Sequence, residues 1–383
     1  MNILFITSYP LEYNLSANVR NWGLIEGLIA NGNTISTLSP YPTNQELFNG
    51  EIVTKGLEKR YWIGVHSIEP VTKPATNAPS WKNKLKAFGY RMFNYISVYD
   101  RRIFLKRAIN VDEIKEQFDF IISSSDPKSA HVFALELLNK RPDIGKEWIQ
   151  YWGDPFSNDI SVKRLFGNFF VGIAERKLLK RADKIVYVSP FTSQSIQSKY
   201  PEFKQKIAFL PIPYRISGCT DNGSYENGLV GYFGDYNSSN RNILPLYEAL
   251  KEAGYKSNII GNSDVHLEQC ENISIKNRMP SEDLEDITTK THIFICVCNL
   301  HGTQIPGKVY HYVNTKKPIL IILDGDRQNE LRAYFDSFNR FYLCDNNKES
   351  ISKALQMIIG ANKEFVVPES LNPRVIAKRF IKE

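Results

Sequence analysis

Short apolar runs alternate with helical stretches along most of the 383 residues, and this alternation restricts the possible folds more than any other feature. In the first 215 residues, strands such as NILFIT, TISTLSP and FDFIISSS are separated by segments with helical apolar spacing. The pattern restarts with GLVGYFGDY and continues through THIFICVC and KPILIIL. Strand–helix alternation at this spacing predicts parallel sheets that are covered by helices on both faces.

A polar stretch, ISGCTDNGSYEN, separates the two series and is typical of a linker. We therefore predict an α/β protein with two Rossmann-like, doubly wound domains, residues 1–215 and 216–365. The remaining segment, 366–383, contains a basic amphipathic helix that we expect to cross back to the first domain. Ligands of such sheets bind at the carboxyl ends of the strands, and with two facing sheets we expect the ligand in the cleft between them.

The composition is that of a folded globular protein, with 42% hydrophobic, 12% aromatic and 23% charged residues. No apolar run reaches the length of about 18 residues that a membrane-spanning helix needs. The opening MNILFITSYP lacks a positive segment before its apolar run, so we interpret it as a buried first strand and not as a signal peptide. Five cysteines at these positions support neither a disulfide framework nor a zinc site, which favours the reducing cytoplasm.

The segment GTQIPGKVYHY, residues 302–312, joins two of the apolar strands. Gly302 and Gly307 allow a close approach of backbone to a ligand, and Pro306 suits the first position of a helix that we predict over PGKVYHYVNTK. Lys308 adds a positive charge where a helix N-terminus already favours anions. The pattern indicates a phosphate site, and the alternative is an ordinary strand–loop–helix connection with a solvated lysine.

Four stretches stand in order along the chain: ILFITSYPLEYNLSANVRNWGLIEGLIANGNTISTLSP, YWGDPFSND, VGYFGDYNSSNRNILPLYEAL and GTQIPGKVYHYVNTKKPILII. Together they resemble segments of the GT-B glycosyltransferases, in particular the retaining family 4 group, over essentially the whole chain. The resemblance implies transfer of a sugar, with retention, from a nucleotide sugar to a lipid-linked or saccharide acceptor. It also implies a role in the synthesis of bacterial cell-surface polysaccharide, no cofactor, no metal, and a UDP-sugar donor in preference to a GDP-sugar.

The resemblance also assigns residues to the donor. Arg241 and Lys308, with Gly307 beside the latter, match family positions that contact the donor phosphates. The alternative for Arg241 is a surface cation. Asp235 stands where many relatives have an arginine, so one expected phosphate contact is missing.

Thr303 and His311 occupy positions where the family often has two glutamates, and with Gln304 they are assigned to the donor nucleoside and sugar. A neutral imidazole can make one hydrogen bond to the ribose but lacks a carboxylate's two oxygens. The alternative for His311 is a helix residue packed against its neighbours.

On the acceptor side, Asn18 and Arg20 follow the first strand in a loop that lacks the usual glycines. Arg20 is alternatively a plain residue of the helix N-terminus. Asp154 is the candidate catalytic carboxylate, able to align an acceptor hydroxyl or to stabilise positive charge on the sugar. Its alternative role is an Asx turn before Pro155.

Residues 73–110 contain nine basic residues and one acidic residue, interleaved with aromatic side chains. Such a mixture suits single-stranded nucleic acid or an anionic membrane surface, and its place in a domain of this kind favours the membrane. We therefore predict a peripheral protein on the inner face of the plasma membrane, with no nucleic-acid partner. A second basic stretch, residues 163–181, has the same character, and a solvated helical face is the alternative for both.

Two other functions are compatible with the sequence. A GT-B epimerase would act on the nucleotide sugar itself, but it would need no basic membrane face. An inactive sugar-nucleotide-binding scaffold is compatible with Thr303, His311 and Asp235, which replace the residues usual in the family.

Overall fold

The computed structural model describes residues 1–43, 56–64, 89, 92–93, 95–157, 168–216, 225–361 and 365–382. The chain divides into two compact units, Met1–Pro211 and Ile212–Glu383. Each unit contains one parallel sheet with helices, which confirms the predicted α/β class with two doubly wound domains. The crossing of the C-terminal helix to the first domain stays a prediction.

The first unit is built on a seven-stranded sheet with the order β3-β2-β1-β4-β5-β6-β7, in which every pair of neighbours is parallel. Its strands are β1 (Asn2–Thr7), β2 (Thr34–Pro40), β3 (Leu57–Ile63), β4 (Phe118–Ser124), β5 (Gly145–Trp152), β6 (Lys184–Tyr187) and β7 (Ile207–Phe209). Its α-helices are α1 (Ser16–Ala30), α2 (Ser129–Lys140), α3 (Phe169–Arg181) and α4 (Pro190–Lys199). Short 3-10 helices cover Arg101–Ala108, Val111–Glu113 and Pro201–Lys206.

The second unit has a six-stranded sheet with the order β10-β9-β8-β11-β12-β13, again parallel throughout. Its strands are β8 (Val230–Phe233), β9 (Ser257–Ile260), β10 (Ile273–Lys276), β11 (Ile293–Val297), β12 (Ile319–Leu323) and β13 (Tyr342–Asp345). Its α-helices are α5 (Leu244–Ala253), α6 (Ser281–Lys290), α7 (Lys308–His311), α8 (Gln328–Asp336), α9 (Lys348–Ile359) and α10 (Pro373–Lys382). A 3-10 turn covers Glu369–Leu371.

Burial on both faces explains the long apolar runs of the central strands. Strand β12, ILIIL, is buried at every position, as are the five residues of β11. Parallel strands covered by helices on both sides have no solvated face, so continuous apolar runs replace the alternating pattern of an exposed sheet. Each unit has its own core, with Phe133 and Trp148 in the first and Leu320 and Leu355 in the second.

In each sheet, successive strands are first added on one side of the starting strand and then on the other. The change of side lies between β1 and β4 in the first unit and between β8 and β11 in the second. At such a switch point the connections leave on opposite faces of the sheet and open a crevice at the carboxyl ends of the two strands. The loops that follow β1, β4, β8 and β11 therefore define the two places where a ligand site is expected.

The helix predicted after Pro306 is much shorter than its sequence suggests. It consists of the single turn α7, capped by Gly307, and Pro306 lies before the cap. The chain after α7 is fixed by the fully buried Arg340, whose guanidinium donates to the carbonyl oxygens of Val313, Thr315 and Lys317 at 3.2, 2.7 and 3.1 Å. These bonds stabilise a non-helical return to β12, which ends the helix after one turn.

Candidate functional site

The switch point of the second unit holds Arg241, in the loop after β8. Its Nη1 donates to the carbonyl oxygen of Asp235 at 2.9 Å, and its Nη2 donates to Oδ1 of Asn299, after β11, at 2.7 Å. Its Nε is buried and has no hydrogen bond within the described part of the chain. The side chain is half-buried and joins the two loops of the switch point, so it is not a freely solvated surface cation.

Lys308 lies in the connection after β11, as the first residue of α7. The side chain is half-buried, and its ammonium makes no hydrogen bond or ion pair with any of the residues that the structure describes. Burial lowers the pKa of this lysine, while the thiol of Cys296 and the carboxylate of Asp235 raise it and Arg278 lowers it. A desolvated cation without a direct ion-pair partner is costly, and an anionic ligand would reduce that cost.

The two glycines of this loop differ in what they contribute. Gly302 has a φ of 89°, a left-handed value that favours glycine. Gly307 has a φ of −61°, and a Cβ on it would meet the Ile212 side chain at an ordinary distance of 3.5 Å. Glycine is therefore required by the backbone conformation at 302 and not at 307, and the assignment of Gly307 to the donor phosphate stays a prediction.

The three residues assigned to the donor nucleoside and sugar lie in or just after the same loop. Oε1 of Gln304 is buried without a hydrogen bond in the described structure, and its carbonyl oxygen accepts from Asn299 at 3.3 Å. Burial, together with the charges of Lys308 and Arg215, lowers the pKa of His311 to about 3, so its imidazole is neutral at physiological pH. Thr303 is half-buried before Gln304. Their roles toward a donor stay predictions.

In the first unit, Arg20 lies buried on α1 at the carboxyl edge of the sheet. Its Nη2 donates to Oγ of Ser124 at 3.2 Å, and the guanidinium lies over the Tyr151 ring, 5.0 Å from its centre. A Cβ on Gly153 would stand 1.9 Å from its Nη1, so the absence of a side chain at Gly153 makes room for the cation. Arg20 is therefore a buried arginine at the switch point and not an exposed residue of a helix N-terminus.

Asn18 stabilises the loop that precedes it. Its side-chain amide donates to the carbonyl oxygens of Pro10 and Tyr13 at 2.7 and 2.9 Å, which uses both amide protons. An acceptor can therefore bond only to its oxygen unless the loop rearranges. The predicted acceptor role of Asn18 is not tested by these contacts.

Asp154 is half-buried in the loop after β5. This loop is fixed by the fully buried carboxylate of Glu175, on α3, which accepts from the backbone N–H groups of Phe156 and Ser157 at 3.1 and 3.3 Å and from the Ser157 hydroxyl at 2.7 Å. Glu175 also pairs with Lys199 at 3.1 Å. The chain just after Asp154 is thus held by Glu175, and the catalytic role of Asp154 stays a prediction.

Sequence reasoning missed a carboxylate at the β1–β4 switch point, in the loop next to the one that carries Asp154. Asp126 lies two residues after the end of β4 and forms an ion pair with Lys128. Its Oδ2 lies 3.1 Å from where a Cβ of Gly153 would stand. Nearby, Nδ1 of the buried His131 lies 2.7 Å from Oγ of Ser123, and burial lowers its pKa well below the ordinary value. The signal was an aspartate after a predicted strand, the same signal that led to Asp154.

The basic segment 73–110 is described only in part. Lys73, Lys82, Lys84, Lys86 and Arg91 lie outside the described residues. The other four cations belong to the 3-10 helix Arg101–Ala108, where the guanidinium of Arg102 lies 3.7 Å from the centre of the Tyr9 ring. Phe104, on the same helix, is 57% exposed.

The described part of the second basic stretch is helix α3, which exposes one mixed face. Phe169, Phe170 and Ile173 are 71%, 54% and 56% exposed near its beginning. Exposed cations continue the same face at helical spacing, at positions 176, 177 and 180. Apolar side chains next to cations form the combination that anionic bilayer surfaces bind.

The described residues offer neither a metal cluster nor a membrane-spanning helix. They contain no group of three or more His, Cys, Asp or Glu side chains arranged to hold a metal ion. No helix among them is long and apolar enough to cross a bilayer.

Neither a protein-family model nor a curated protein sequence matches the chain. Solved structures match it over nearly its whole length. An alpha-glucosyltransferase in complex with UDP and a 13-mer DNA containing a HMU base has a TM-score of 0.57 at 13% identity, covering 99% of this chain and 94% of that protein. Sucrose-phosphate synthase from Thermosynechococcus elongatus has a TM-score of 0.56 at 12% identity, covering 99% of this chain and 93% of that protein. AviGT4, a glycosyltransferase involved in avilamycin A biosynthesis, has a TM-score of 0.51 at 10% identity, covering 100% of this chain and 96% of that protein. The two parallel-sheet α/β units of this chain thus have the GT-B fold of these glycosyltransferases.

Proposed function

We propose that the protein is a retaining, family 4-like glycosyltransferase. It transfers a sugar from a nucleotide-sugar donor to a lipid-linked or saccharide acceptor in bacterial cell-surface polysaccharide synthesis. The observation that carries the proposal is the pair of half-buried cations, Arg241 and Lys308, at the switch point of the second unit. The full-length likeness to sugar transferases supports it, and one of these is in complex with UDP.

In the proposed reaction the bond between the anomeric carbon and the donor diphosphate breaks, and the acceptor oxygen forms a bond to that carbon. The acceptor hydroxyl loses its proton to the leaving diphosphate or to solvent. Negative charge grows on the leaving diphosphate. Arg241 and Lys308 would stabilise that charge, and they would do so strongly because both are partly removed from water. A UDP-sugar is the favoured donor.

The other residues have proposed roles on either side of the bond that breaks. Neutral His311, with Thr303 and Gln304, would hydrogen-bond the donor nucleoside and sugar. Asp154 would align the acceptor hydroxyl or stabilise positive charge on the sugar. Arg20 would orient the acceptor, while Asn18 shapes the loop beside it.

The acceptor side is proposed to operate at the inner face of the plasma membrane. The mixed face of α3, with exposed Phe169, Phe170 and Ile173 beside cations, supports this location together with the basic segment 73–110. A lipid-linked acceptor would then present its sugar to the first unit, and no nucleic-acid partner is needed.

A donor panel tests the proposal. UDP- and GDP-linked hexoses are incubated with the protein, with and without a lipid extract of bacterial membranes, and release of nucleoside diphosphate is measured. Release that depends on the extract, and that falls in Lys308→Ala but not in the exposed-lysine control Lys353→Ala, is the expected result. Interconversion of nucleotide sugars without an acceptor would indicate the epimerase instead, and binding without turnover would indicate the scaffold.

A further inference from the structure

A network of polar contacts links the carboxyl ends of three neighbouring strands in the second unit. Asp235, after β8, accepts through Oδ1 from the backbone N–H of Asn262, after β9, at 3.0 Å. Its Oδ2 accepts from Nη2 of Arg278, after β10, at 2.5 Å. The backbone N–H of Arg278 in turn donates to Oδ1 of Asn262 at 3.3 Å.

Close backbone packing fixes this network in place. A Cβ on Gly261 would stand 1.9 Å from the carbonyl oxygen of Gly234, so the ends of β8 and β9 touch where a larger residue would separate them. Asp235 and Asn262 each follow one of these glycines directly. The carboxylate that receives Arg278 is therefore held by the sheet and not by a flexible loop.

The same aspartate also contacts one cation of the candidate donor site and lies near the other. Its carbonyl oxygen accepts from Nη1 of Arg241 at 2.9 Å. Arg278 and Asp235 are also both close enough to Lys308 to act on its pKa, in opposite directions and after the larger effect of burial. Three cations are thus grouped around Asp235, one bonded to its carboxylate, one to its carbonyl oxygen and one nearby, and this grouping suits an anionic ligand such as a diphosphate.

The Arg278 side chain is available for a ligand. It is 65% exposed, and its ion pair with Asp235 uses one of the five N–H groups of a guanidinium. The fixed fork of the remaining donors matches the oxygens of a phosphate group. An ion pair this exposed contributes little to stability, so replacing Arg278 should leave the fold intact.

We propose, on the basis of the nucleotide-sugar donor proposed above, that Arg278 is a third cation of the donor diphosphate site and that Asp235 is the residue that positions it. The pairing converts a flexible surface arginine into a pre-organised phosphate ligand, which lowers the entropic cost of binding.

Binding of UDP, UMP and uridine by isothermal titration calorimetry tests this proposal, with GDP, GMP and guanosine run in parallel. Arg278→Ala should weaken the diphosphate about 10-fold, as expected for the loss of one charge-assisted hydrogen bond, and should leave the nucleoside unchanged. Arg278→Lys should lose part of this affinity, because an ammonium lacks the planar fork. Lys256→Ala is the matched control. Lys256 lies just before β9, at the amino ends of the strands, and its exposed ion pair with Glu226, of 2.8 Å, is broken by the substitution.

Asp235→Asn separates two roles of Asp235, because they predict opposite changes in the affinity for a diphosphate. Removing a negative charge near a diphosphate should tighten binding if Asp235 acts only through its charge. If it positions Arg278, the variant should instead weaken diphosphate binding, while its amide oxygen can still accept from Asn262. Tighter binding by Asp235→Asn would overturn the positioning role.

Other outcomes separate this inference from the proposed function. If Arg278→Ala binds UDP and GDP like Lys256→Ala while Lys308→Ala binds them weakly, Arg278 is not a ligand and the donor site stands. If the wild type binds no nucleoside diphosphate at all, the proposed function fails and the inference fails with it.

Discussion

Replacing Lys308 with methionine should change stability and ligand binding in opposite directions. The ammonium is half-buried and forms no ion pair with the described residues, and burial lowers its pKa. A lysine with a lowered pKa costs stability wherever it is charged in the unfolded chain, at all pH values below about 10. An apolar side chain of similar length removes that cost, so we expect Lys308→Met to be more stable at pH 7 by about 1 kcal/mol, or about 2–4 °C in a domain of this size.

The same substitution should weaken nucleotide binding. Loss of one charge-assisted contact to phosphate costs about 1.5–3 kcal/mol, or about 10–150-fold in affinity. A saturating ligand raises stability by about 2.7 kcal/mol at 100 times its Kd, so the thermal shift caused by UDP should shrink in the variant.

Differential scanning calorimetry with and without UDP, together with titration calorimetry, measures both effects. Lys353→Met, on the exposed side of α9, is the control for loss of a charge. The gain in stability should also decline as the pH rises through the pKa of Lys308 in the folded protein, since the wild-type lysine then becomes neutral. A variant that is less stable than the wild type, or that binds UDP equally well, would refute the reasoning.

Three further predictions concern other parts of the molecule. Gly153→Ala should displace the Arg20 guanidinium and lower the free energy of unfolding by about 1–3 kcal/mol. It should also reduce sugar transfer more than Lys353→Ala does. An unchanged melting temperature and an unchanged turnover would contradict the packing argument. Transfer should persist in EDTA, and a loss that magnesium or manganese restores would count against a metal-independent reaction. Co-sedimentation with anionic vesicles should decrease with rising salt and in the double variant Phe169→Ser/Ile173→Ser. It should not decrease in Met357→Ser, which changes an equally exposed apolar residue on α9. Equal binding by the wild type and both variants would exclude the α3 face.

The sequence predicted the central strands well, because each is buried on both faces and must consist of apolar residues. It missed three of the four edge strands, β3, β10 and β13. An edge strand has one neighbour and is partly solvated, so LEKRYWI contains three charged residues and β10 only four residues in all. No apolar run marks such strands, and the strand next to each one is what fixes its position.

The helix after Lys308 was predicted too long for a different reason. Its apolar spacing suits a helix, but the buried Arg340 bonds the backbone carbonyls that a longer helix would use. Arg340 lies 23–27 residues further along the chain than its partners, and no local pattern links them. Competition between a local preference and a distant buried side chain cannot be resolved from the sequence alone.

The sequence singled out those residues of the candidate site that lie in loops after recognisable strands. It missed the residue whose place depends on the order of the strands in the sheet. Arg241 and Lys308 each follow a recognisable strand, and the two strands are neighbours at the switch point. Arg278 follows an unrecognised edge strand, so its approach to Asp235 depends on β10 lying beside β9.

The charges at the two switch points suggest a division of roles between the units. In the second unit Arg278 bonds to the carboxylate of Asp235, Arg241 bonds to its carbonyl oxygen, and Lys308 lies near both, a grouping of positive charge that favours a diphosphate. In the first unit the buried Arg20 and the cation of Lys128 are offset by Asp126, and Asp154 follows in the next loop. A balanced site of this kind has no excess charge to hold a diphosphate, but it contains the carboxylates that orient a neutral hydroxyl. The charge distribution therefore favours the donor in the second unit and the acceptor in the first.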